Sequence, residues 1–162
     1  MKRSVKLALI LTIASPLAGA AVSSCAGESD CSITGRAMLW SSVYRSDGVT
    51  AVNDTLDSLT VTTLPEDIII LNREKNVTRF GLPLKYTSDT TTWILHYGEQ
   101  ISDTITIRHI NTPEFVSMEC GYEMKQVITG VSYTNKHLLD TIRVTNTSTN
   151  INETQNLELY FR

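Results

Sequence analysis

The stretches TTTWILHYG (residues 90–98) and DTITIRHI (residues 103–110) decide the fold of this chain. In the first, large apolar side chains recur at every second position from Trp93 onward, and in the second they do so from Ile105 onward. Alternation of this kind is typical of β-strands, because successive side chains of a strand point to opposite faces. The two stretches therefore predict two strands, each with one apolar face.

Segments of similar length fill most of the remaining chain, and residues typical of turns separate them. They are RAMLWSSVYR (36–45), LDSLTVTTL (56–64), DIIIL (67–71), VTRFGLPLKY (77–86), PEFVSMECGYEMKQVITGVSY (113–133), HLLDTIRVTNT (137–147) and NETQNLELYFR (152–162). About nine strands at a spacing of about ten residues are typical of antiparallel sandwiches and barrels. The sequence therefore predicts an all-β fold, a single antiparallel β-sandwich (Ig-like or jelly-roll-like) of about nine strands after an N-terminal signal segment.

Three segments carry marks of their position in the sheets. DIIIL is an unbroken apolar run, which indicates a strand that is buried on both faces or packed at an interface. Gly81 and Pro83 interrupt VTRFGLPLKY, as is typical of a bulged or edge strand. The long segment 113–133 is interpreted as two strands with a kink near Gly121.

The composition is that of a folded domain rich in β-forming residues. Of 162 residues, 41% are hydrophobic, 19% are charged and 22 are threonine. This length and balance favour one folded domain, and threonine suits a half-buried strand. Residues 1–24 hold three of the 14 basic residues and no acidic one, so their removal lowers the net charge from −3 to −6. An acidic chain without basic clusters argues against nucleic acid as a partner.

The N-terminus carries an export signal with two competing cleavage sites. Basic MKRSVK precedes apolar LALILTIAS, which is too short to span a membrane as a helix. VSSC (22–25) resembles a bacterial lipobox, whose cysteine is lipidated and becomes the new N-terminus, whereas AGA (18–20) is an ordinary signal-peptidase site. A cut at AGA leaves an odd number of cysteines in an oxidising compartment. We therefore predict lipidation of Cys25 and a disulfide between Cys31 and Cys120.

This processing divides the chain into a lipoprotein signal peptide (1–24), a lipidated tether (25–35) and a β-sandwich domain (36–162). Several acyl chains on one residue, such as palmitate, give durable membrane binding. Ala26 beside the lipidated cysteine carries no charge that would favour retention at the inner membrane. We therefore expect a lipid-anchored protein of the outer membrane that faces the periplasm.

The segment EFVSMECGYEMKQV (114–127) carries a family resemblance. With Cys25 and Cys31, its EFVSxxCGY pattern resembles a family of small Bacteroidota outer-membrane lipoproteins catalogued only as a domain of unknown function. Three further segments are similar to the strand pattern of that family: DSLTV (57–61), GLPL (81–84) and DTITI (103–107). The resemblance implies an outer-membrane-associated β-domain whose partner is an outer-membrane β-barrel or another envelope protein, and it implies no activity.

Residues with catalytic or metal-binding potential are few and far apart in the sequence. His96 lies opposite the apolar face of its predicted strand, His109 lies on the apolar face of its own, and His137 begins a strand. Their spacing matches no metal site, and the paired acids in NDTLDS lack the spacing of a calcium loop. Because nucleophile and phosphate-binding motifs are also missing from the sequence, we predict a protein that is not an enzyme and has no metal and no cofactor.

A recurring pattern of Asp, then Ser or Thr, then an apolar residue or Thr is similar to the O-glycosylation signal of exported proteins of the same phylum. Aspartate followed by threonine is also common where strands begin, which explains the pattern without a modification. The candidate O-glycosylation sites are Thr55, Ser58, Thr90, Thr104 and Thr141. The segment around Thr55 and Ser58 is the best candidate among them.

The sequence as a whole favours a non-catalytic envelope lipoprotein that binds or scaffolds another outer-membrane protein, with DIIIL and VTRFGLPLKY as the expected contacts. The alternative is a small-ligand or glycan-binding β-module, in which Trp40, Tyr44, Trp93 and Tyr97 provide stacking surfaces. Aromatic side chains on strands are more often part of the core. Exposure of Trp40 or Trp93 would therefore distinguish the two functions.

Overall fold

A computed structural model describes residues 35–46, 51–98, 100–118, 120–134 and 137–162. All regular structure in these residues is β. In chain order the strands are β1 (Leu39–Ser46), β2 (Ala51–Asn53), β3 (Leu56–Leu64), β4 (Ile69–Val77), β5 (Arg79–Leu82), β6 (Thr90–His96), β7 (Ser102–Ser117), β8 (Gly121–Thr134), β9 (Leu139–Val144) and β10 (Gln155–Phe161).

These strands form two five-stranded sheets. Sheet I has the order β2-β1-β10-β9, and β5 pairs with β1 as well. Sheet II has the order β4-β3-β6-β7-β8 and is antiparallel throughout. In sheet I, β1 and β10 are parallel, and the other described pairs are antiparallel. The prediction of an all-β sandwich is therefore confirmed.

The core lies between the two sheets and is filled by side chains at alternate positions. Trp93 of β6 is 1% exposed and lies directly opposite Ile105 of β7, which is 2% exposed. Sheet I covers them with apolar side chains from four of its strands, among them Leu39 and Val43 of β1 and Leu157, Leu159 and Phe161 of β10. The alternation in residues 90–98 and 103–110 thus separates core from surface, as predicted.

A buried carboxylate fixes one end of the sandwich. Asp103, at the start of β7, is 1% exposed, and its side chain accepts the backbone N–H groups of His137, Leu138 and Leu139 at 2.6, 3.1 and 2.8 Å. Hydrogen bonds to an ionised acceptor are stronger than those between neutral groups. Asp103 therefore joins the start of β9 in sheet I to the start of β7 in sheet II.

Two of the strand interpretations change in the structure. Of the two alternatives for DIIIL, burial on both faces does not occur within the chain, because Ile68 and Ile69 are 60% and 56% exposed where β4 begins, at the edge of sheet II. Packing at an interface stays a prediction. The break predicted between residues 110 and 113 does not occur, because β7 continues through Pro113 to Ser117. By contrast, the edge position predicted for VTRFGLPLKY is confirmed, since β5 lies at the side of sheet I against β1.

Candidate functional site

The β7–β8 hairpin extends beyond the sandwich. Strand β6 pairs with β7 only up to the register pair Thr90 and Arg108. Beyond a bulge at Arg108 and His109, β7 and β8 continue as a ribbon, with register pairs that run from Ile110 and Val127 outward to the turn. We call residues 110–118 and 120–127 the hairpin arm. Most β7 residues of this arm are exposed, unlike those of the inner part of the strand.

One face of the hairpin arm continues the core-facing side of β7. Asn111, Pro113 and Phe115 follow Ile105 and Ile107 in the alternation, so they lie on the same side of the strand. Their register partners on β8 are Gln126, Met124 and Tyr122, respectively. Because sheet I ends before this point, the apolar side chains of this face emerge at the surface.

The outer end of the arm is apolar and exposed. Met118 is 90% exposed, Tyr122 72%, Phe115 52% and Val116 46%, and the rings of Phe115 and Tyr122 meet edge to face with centroids 5.5 Å apart. We call these four residues the arm tip. Gly121 begins β8 with a φ of 69°, which a glycine adopts without strain. Exposed apolar side chains concentrated at the end of a ribbon are typical of a contact surface.

A buried polar network holds the base of the arm. The His109 ring, 1% exposed, lies 2.9 Å from Thr91 Oγ1 through Nε2 and 3.1 Å from Asn111 Oδ1 through Nδ1. Gln126 Nε2 donates to the same Asn111 oxygen at 2.7 Å, and Asn111 Nδ2 donates to the Ser88 carbonyl at 2.6 Å. Burial lowers the pKa of His109. Although Gln126 Oε1 is buried without a hydrogen-bond partner, the other groups bind one another away from solvent. The network is therefore suited to fixing the arm on the sandwich.

The charges on the arm are mixed and close together. Glu114 and Glu123 are register partners, so two carboxylates lie directly opposite each other. Lys125 Nζ lies 3.7 Å from Glu114 Oε2. Below the tip, a groove of about 430 Å³ separates the arm from the segment before β10, with Ala37 and Ile151 among its lining residues. The surface around the tip therefore has no basic patch among the described residues.

A second apolar surface lies at the edge of sheet II formed by β4. Ile68 and Ile69 are exposed at the start of β4, and Leu64, at the end of β3, is 36% exposed beside them. We call these three residues the β4 patch. Further along β4, Arg73 and Asn76 have positive φ values of 53° and 54°. Polar residues and irregular backbone on an edge strand hinder pairing with another sheet. That part of β4 is therefore protected, and the β4 patch is the apolar part of the same edge.

The exposed apolar side chains are concentrated at one end of the sandwich. Both β3 and β7 are antiparallel to β6, so they end at the same side of sheet II, which we call the arm end. In the described residues, the large hydrophobic side chains that are exposed, other than Val52 and Ile101, all lie there: Leu64, Ile68, Ile69, Tyr86, Ile110, Phe115, Val116, Met118, Tyr122, Val144 and Ile151. The two exceptions lie at the opposite end.

Of the predicted cysteine sites, one lies in the described residues. Cys25 and Cys31 lie outside them, so lipidation and the disulfide stay predictions. Cys120 is half-buried in the turn of the hairpin arm, where its backbone N–H donates to Ser117 Oγ at 3.0 Å. The predicted disulfide therefore involves the outer end of the arm.

The candidate glycosylation sites are scattered over both sheets. Thr55 is exposed between β2 and β3, and Thr141 is exposed on β9. Ser58, Thr90 and Thr104 are half-buried within β3, β6 and β7. Exposure at Thr55 agrees with its rank as the best candidate, and glycosylation itself stays a prediction.

The aromatic residues of the alternative function have mostly structural positions. Trp93 is in the core, and burial together with the Asp103 carboxylate raises the pKa of half-buried Tyr97. The Trp40 ring is half-buried between Gly81, where an added Cβ would meet it at 3.1 Å, and the Arg79 guanidinium, 5.0 Å from its centroid. These contacts leave little of either indole for a ligand.

The histidines lie in separate places. His96 is half-buried on the outer face of sheet II, 3.3 Å from Thr62 Oγ1, and His137 Nδ1 lies 2.8 Å from the Ser102 carbonyl oxygen. The described residues contain no group of three or more His, Cys, Asp or Glu side chains that could hold a metal ion. They also contain no helix with the length and apolarity needed to cross a membrane.

Sequence reasoning missed the hairpin arm as a surface. The signal was present in EFVSMECGY, where Phe115 and Val116 are adjacent and Met118 follows two positions later. Such a run has apolar side chains on both faces, unlike the strict alternation of Ile105 and Ile107. In a strand that also contains Pro113, this pattern is typical of a ribbon outside the core.

Comparison with known proteins identifies a family whose function is unknown. The model of a family of unknown function (DUF6452) matches residues 58–161. No curated protein and no solved structure matches the chain. The match confirms that the resemblance is to a family of unknown function. It covers most of β3 and all of β4 to β10, with the whole hairpin arm.

Proposed function

The chain belongs to the family of unknown function DUF6452, and from that premise we propose that it is a non-catalytic Bacteroidota lipoprotein that binds or scaffolds another outer-membrane protein. Cys25 carries the lipid anchor, the disulfide joins Cys31 to Cys120, and the domain faces the periplasm. The partner is an outer-membrane β-barrel or another envelope protein.

The β4 patch is the observation that carries this proposal. Ile68 and Ile69 are both more than half exposed, although they belong to the most apolar run of the domain. Exposure of apolar side chains to water is unfavourable, and their burial against another protein is favourable. Such side chains at a sheet edge therefore indicate a contact with another protein. The second expected contact, VTRFGLPLKY, is less supported, because its Phe80, Leu82 and Leu84 are core residues.

The glycan-binding alternative has weaker support. Trp93 is fully buried, and the Trp40 ring is held between Arg79 and Gly81. Tyr44 stacks on Tyr160 with centroids 5.5 Å apart, so part of each ring already has a partner. A stacking site for a sugar needs an open aromatic face. These three side chains offer less open surface to a sugar than the exposed side chains of the β4 patch offer to a protein.

Site-specific photocrosslinking tests the contact. The full chain is expressed in a Bacteroidota host with a photoreactive amino acid at Ile69 and, as a matched control, at Val52, which is 50% exposed at the opposite end of the domain. We expect a discrete crosslinked envelope protein from position 69 and none from position 52. Identical patterns at both positions would contradict the proposed contact.

The mass of the mature protein tests the anchor separately. A mature chain that starts at Cys25 with added acyl mass, and that gains two protons on reduction, supports the anchor and the disulfide together. A chain that starts at Ala21 without lipid would instead identify a soluble periplasmic protein and remove the basis of the scaffold proposal.

A further inference from the structure

We propose that the arm tip is a second membrane contact, which inserts into the phospholipid surface to which Cys25 is anchored. This inference rests on the lipid anchor of the proposed function and assigns the arm a role in it. The ligand is the interfacial layer of a phospholipid bilayer, and the contact sets the orientation of the domain on the membrane.

The described chain enters the sandwich at the arm end. Met38 pairs with Asn150 in the segment before β10, and Ala37 lines the groove beside Phe115. The described chain therefore enters the domain at the base of the arm. The tether that leads to Cys25 is therefore attached at the same end of the domain as the exposed apolar side chains.

The lengths of the tether and of the arm are similar. From Arg108 to Ser117, β7 extends about 30 Å, since a strand rises about 3.3 Å per residue. The chain from Cys25 to Gly35 spans at most about 35 Å when fully extended. A domain anchored by so short a tether cannot move away from the bilayer by much more than the length of the arm. The membrane surface is therefore within reach of the arm tip.

The predicted disulfide shortens this distance further. Cys120 lies in the turn of the arm, between the tip residues Met118 and Tyr122. If Cys31 is joined to it, the lipidated cysteine is six residues away in the sequence, which is at most about 21 Å of extended chain. The disulfide would then hold the tip next to the anchor.

The chemistry of the arm tip suits the boundary between headgroups and acyl chains. Met118, Val116 and Phe115 are apolar, and Tyr122 combines an apolar ring with a hydroxyl group that stays hydrated. Glu114 and Glu123 lie one register pair below Phe115 and Tyr122, so the arm has no electrostatic attraction to anionic lipid. Insertion therefore depends on apolar burial, and it becomes effective because the anchor keeps the tip at the surface.

Fluorescence quenching by brominated lipid tests the insertion. The full chain, lipidated in its host, is reconstituted into phosphatidylcholine vesicles that carry bromine on the acyl chains near the headgroups. Met118→Trp reports on the arm tip, and Ile101→Trp is the control, because Ile101 is exposed in the turn before β7, about 55 Å of strand away from Met118. The emission of the unsubstituted chain, from Trp40 and Trp93, is subtracted.

We expect emission from Met118→Trp to fall about twofold or more in brominated vesicles and emission from Ile101→Trp to stay unchanged. If the chain floats with the vesicles but both probes are unquenched, the anchor holds and the inference about the tip is wrong. If the chain does not float, the anchor and the inference fail together. A photoreactive group at Met118 that crosslinks in native envelopes to a protein and not to lipid would assign the arm tip to a protein partner and overturn the inference.

Discussion

The inner and outer halves of the β7–β8 hairpin share the same two strands and differ in almost every other respect. In the inner half, Ile105 and Ile107 are at most 2% exposed beneath sheet I. In the outer half, Phe115 continues the same face and is 52% exposed. The alternation of a strand determines which side chains share a face, and an opposing sheet determines whether that face is buried. One face can therefore serve as core at one end and as contact surface at the other.

The two halves should differ most in how much stability is lost when an apolar side chain is replaced by alanine. Ile107→Ala should lower the free energy of unfolding by about 3–4 kcal/mol, because it leaves a cavity in a closed core. Phe115→Ala, made on the same face of the arm, should lower it by less than about 1 kcal/mol, although it removes a larger side chain. Chemical denaturation followed by the fluorescence of buried Trp93 measures both. Equal losses would mean that the outer half is part of the core.

Asp103 provides a second test of the inner half, because its carboxylate joins the start of β7 to the start of β9. Asp103→Asn keeps the shape of the side chain but replaces one of the two acceptor oxygens that bind three backbone N–H groups. We expect a loss of about 2–3 kcal/mol in the free energy of unfolding. Asp57→Asn, at an exposed position of β3, is the control and should stay within about 0.5 kcal/mol of the unsubstituted chain. A similar small loss at Asp103 would show that these bonds contribute little.

His109 at the boundary between the halves should make stability depend on pH. Burial lowers its pKa in the folded chain, so the unfolded chain binds a proton more readily. The free energy of unfolding should therefore fall as the pH drops below about 6.5, the pKa of an unperturbed histidine, with a slope of at most about 1.4 kcal/mol per pH unit from this group.

His109→Gln should flatten that slope between pH 6.5 and the lowered pKa of the folded state, while above pH 7.5 the slopes of the two chains should agree. Urea denaturation at a series of pH values measures this. A slope that persists unchanged in His109→Gln would assign the pH dependence to other groups.

The smallest expected effect concerns the outer half alone. Glu114 and Glu123 are opposite each other in the ribbon, and like charges in this position are destabilising. Glu123→Lys should raise the free energy of unfolding by about 0.2–1 kcal/mol at low salt. Glu74→Lys makes the same change of charge opposite Leu59, so it serves as the control and should give no such gain. Thermal unfolding at low and high salt compares the two, and a gain that is insensitive to salt would exclude an electrostatic cause.

The alternation in residues 90–98 and 103–110 was sufficient to predict the fold class, since Trp93, Leu95 and Ile107 are core residues as expected. The sequence named DIIIL as an expected contact but did not show whether it lies in a central strand or at an edge, because an unbroken apolar run has the same composition in both places. The arm was missed for a related reason. Pro113 and the adjacent Phe115 and Val116 break the alternation, and only the end of β6 at Thr90 shows that the strand continues without a neighbour on that side.

The parallel pairing of β1 with β10 has a consequence for how the chain folds. The backbone N–H of Trp40 donates to Asn156 Oδ1 across 116 positions of sequence, so the centre of sheet I is built from the two ends of the domain. Contacts of such long range make folding slow, because much of the chain must be ordered before they form. Sheet I therefore forms only after residues 155–161 have left the ribosome. The same arrangement makes the domain intolerant of truncation, since without β10 the strands β1 and β9 lose their shared neighbour.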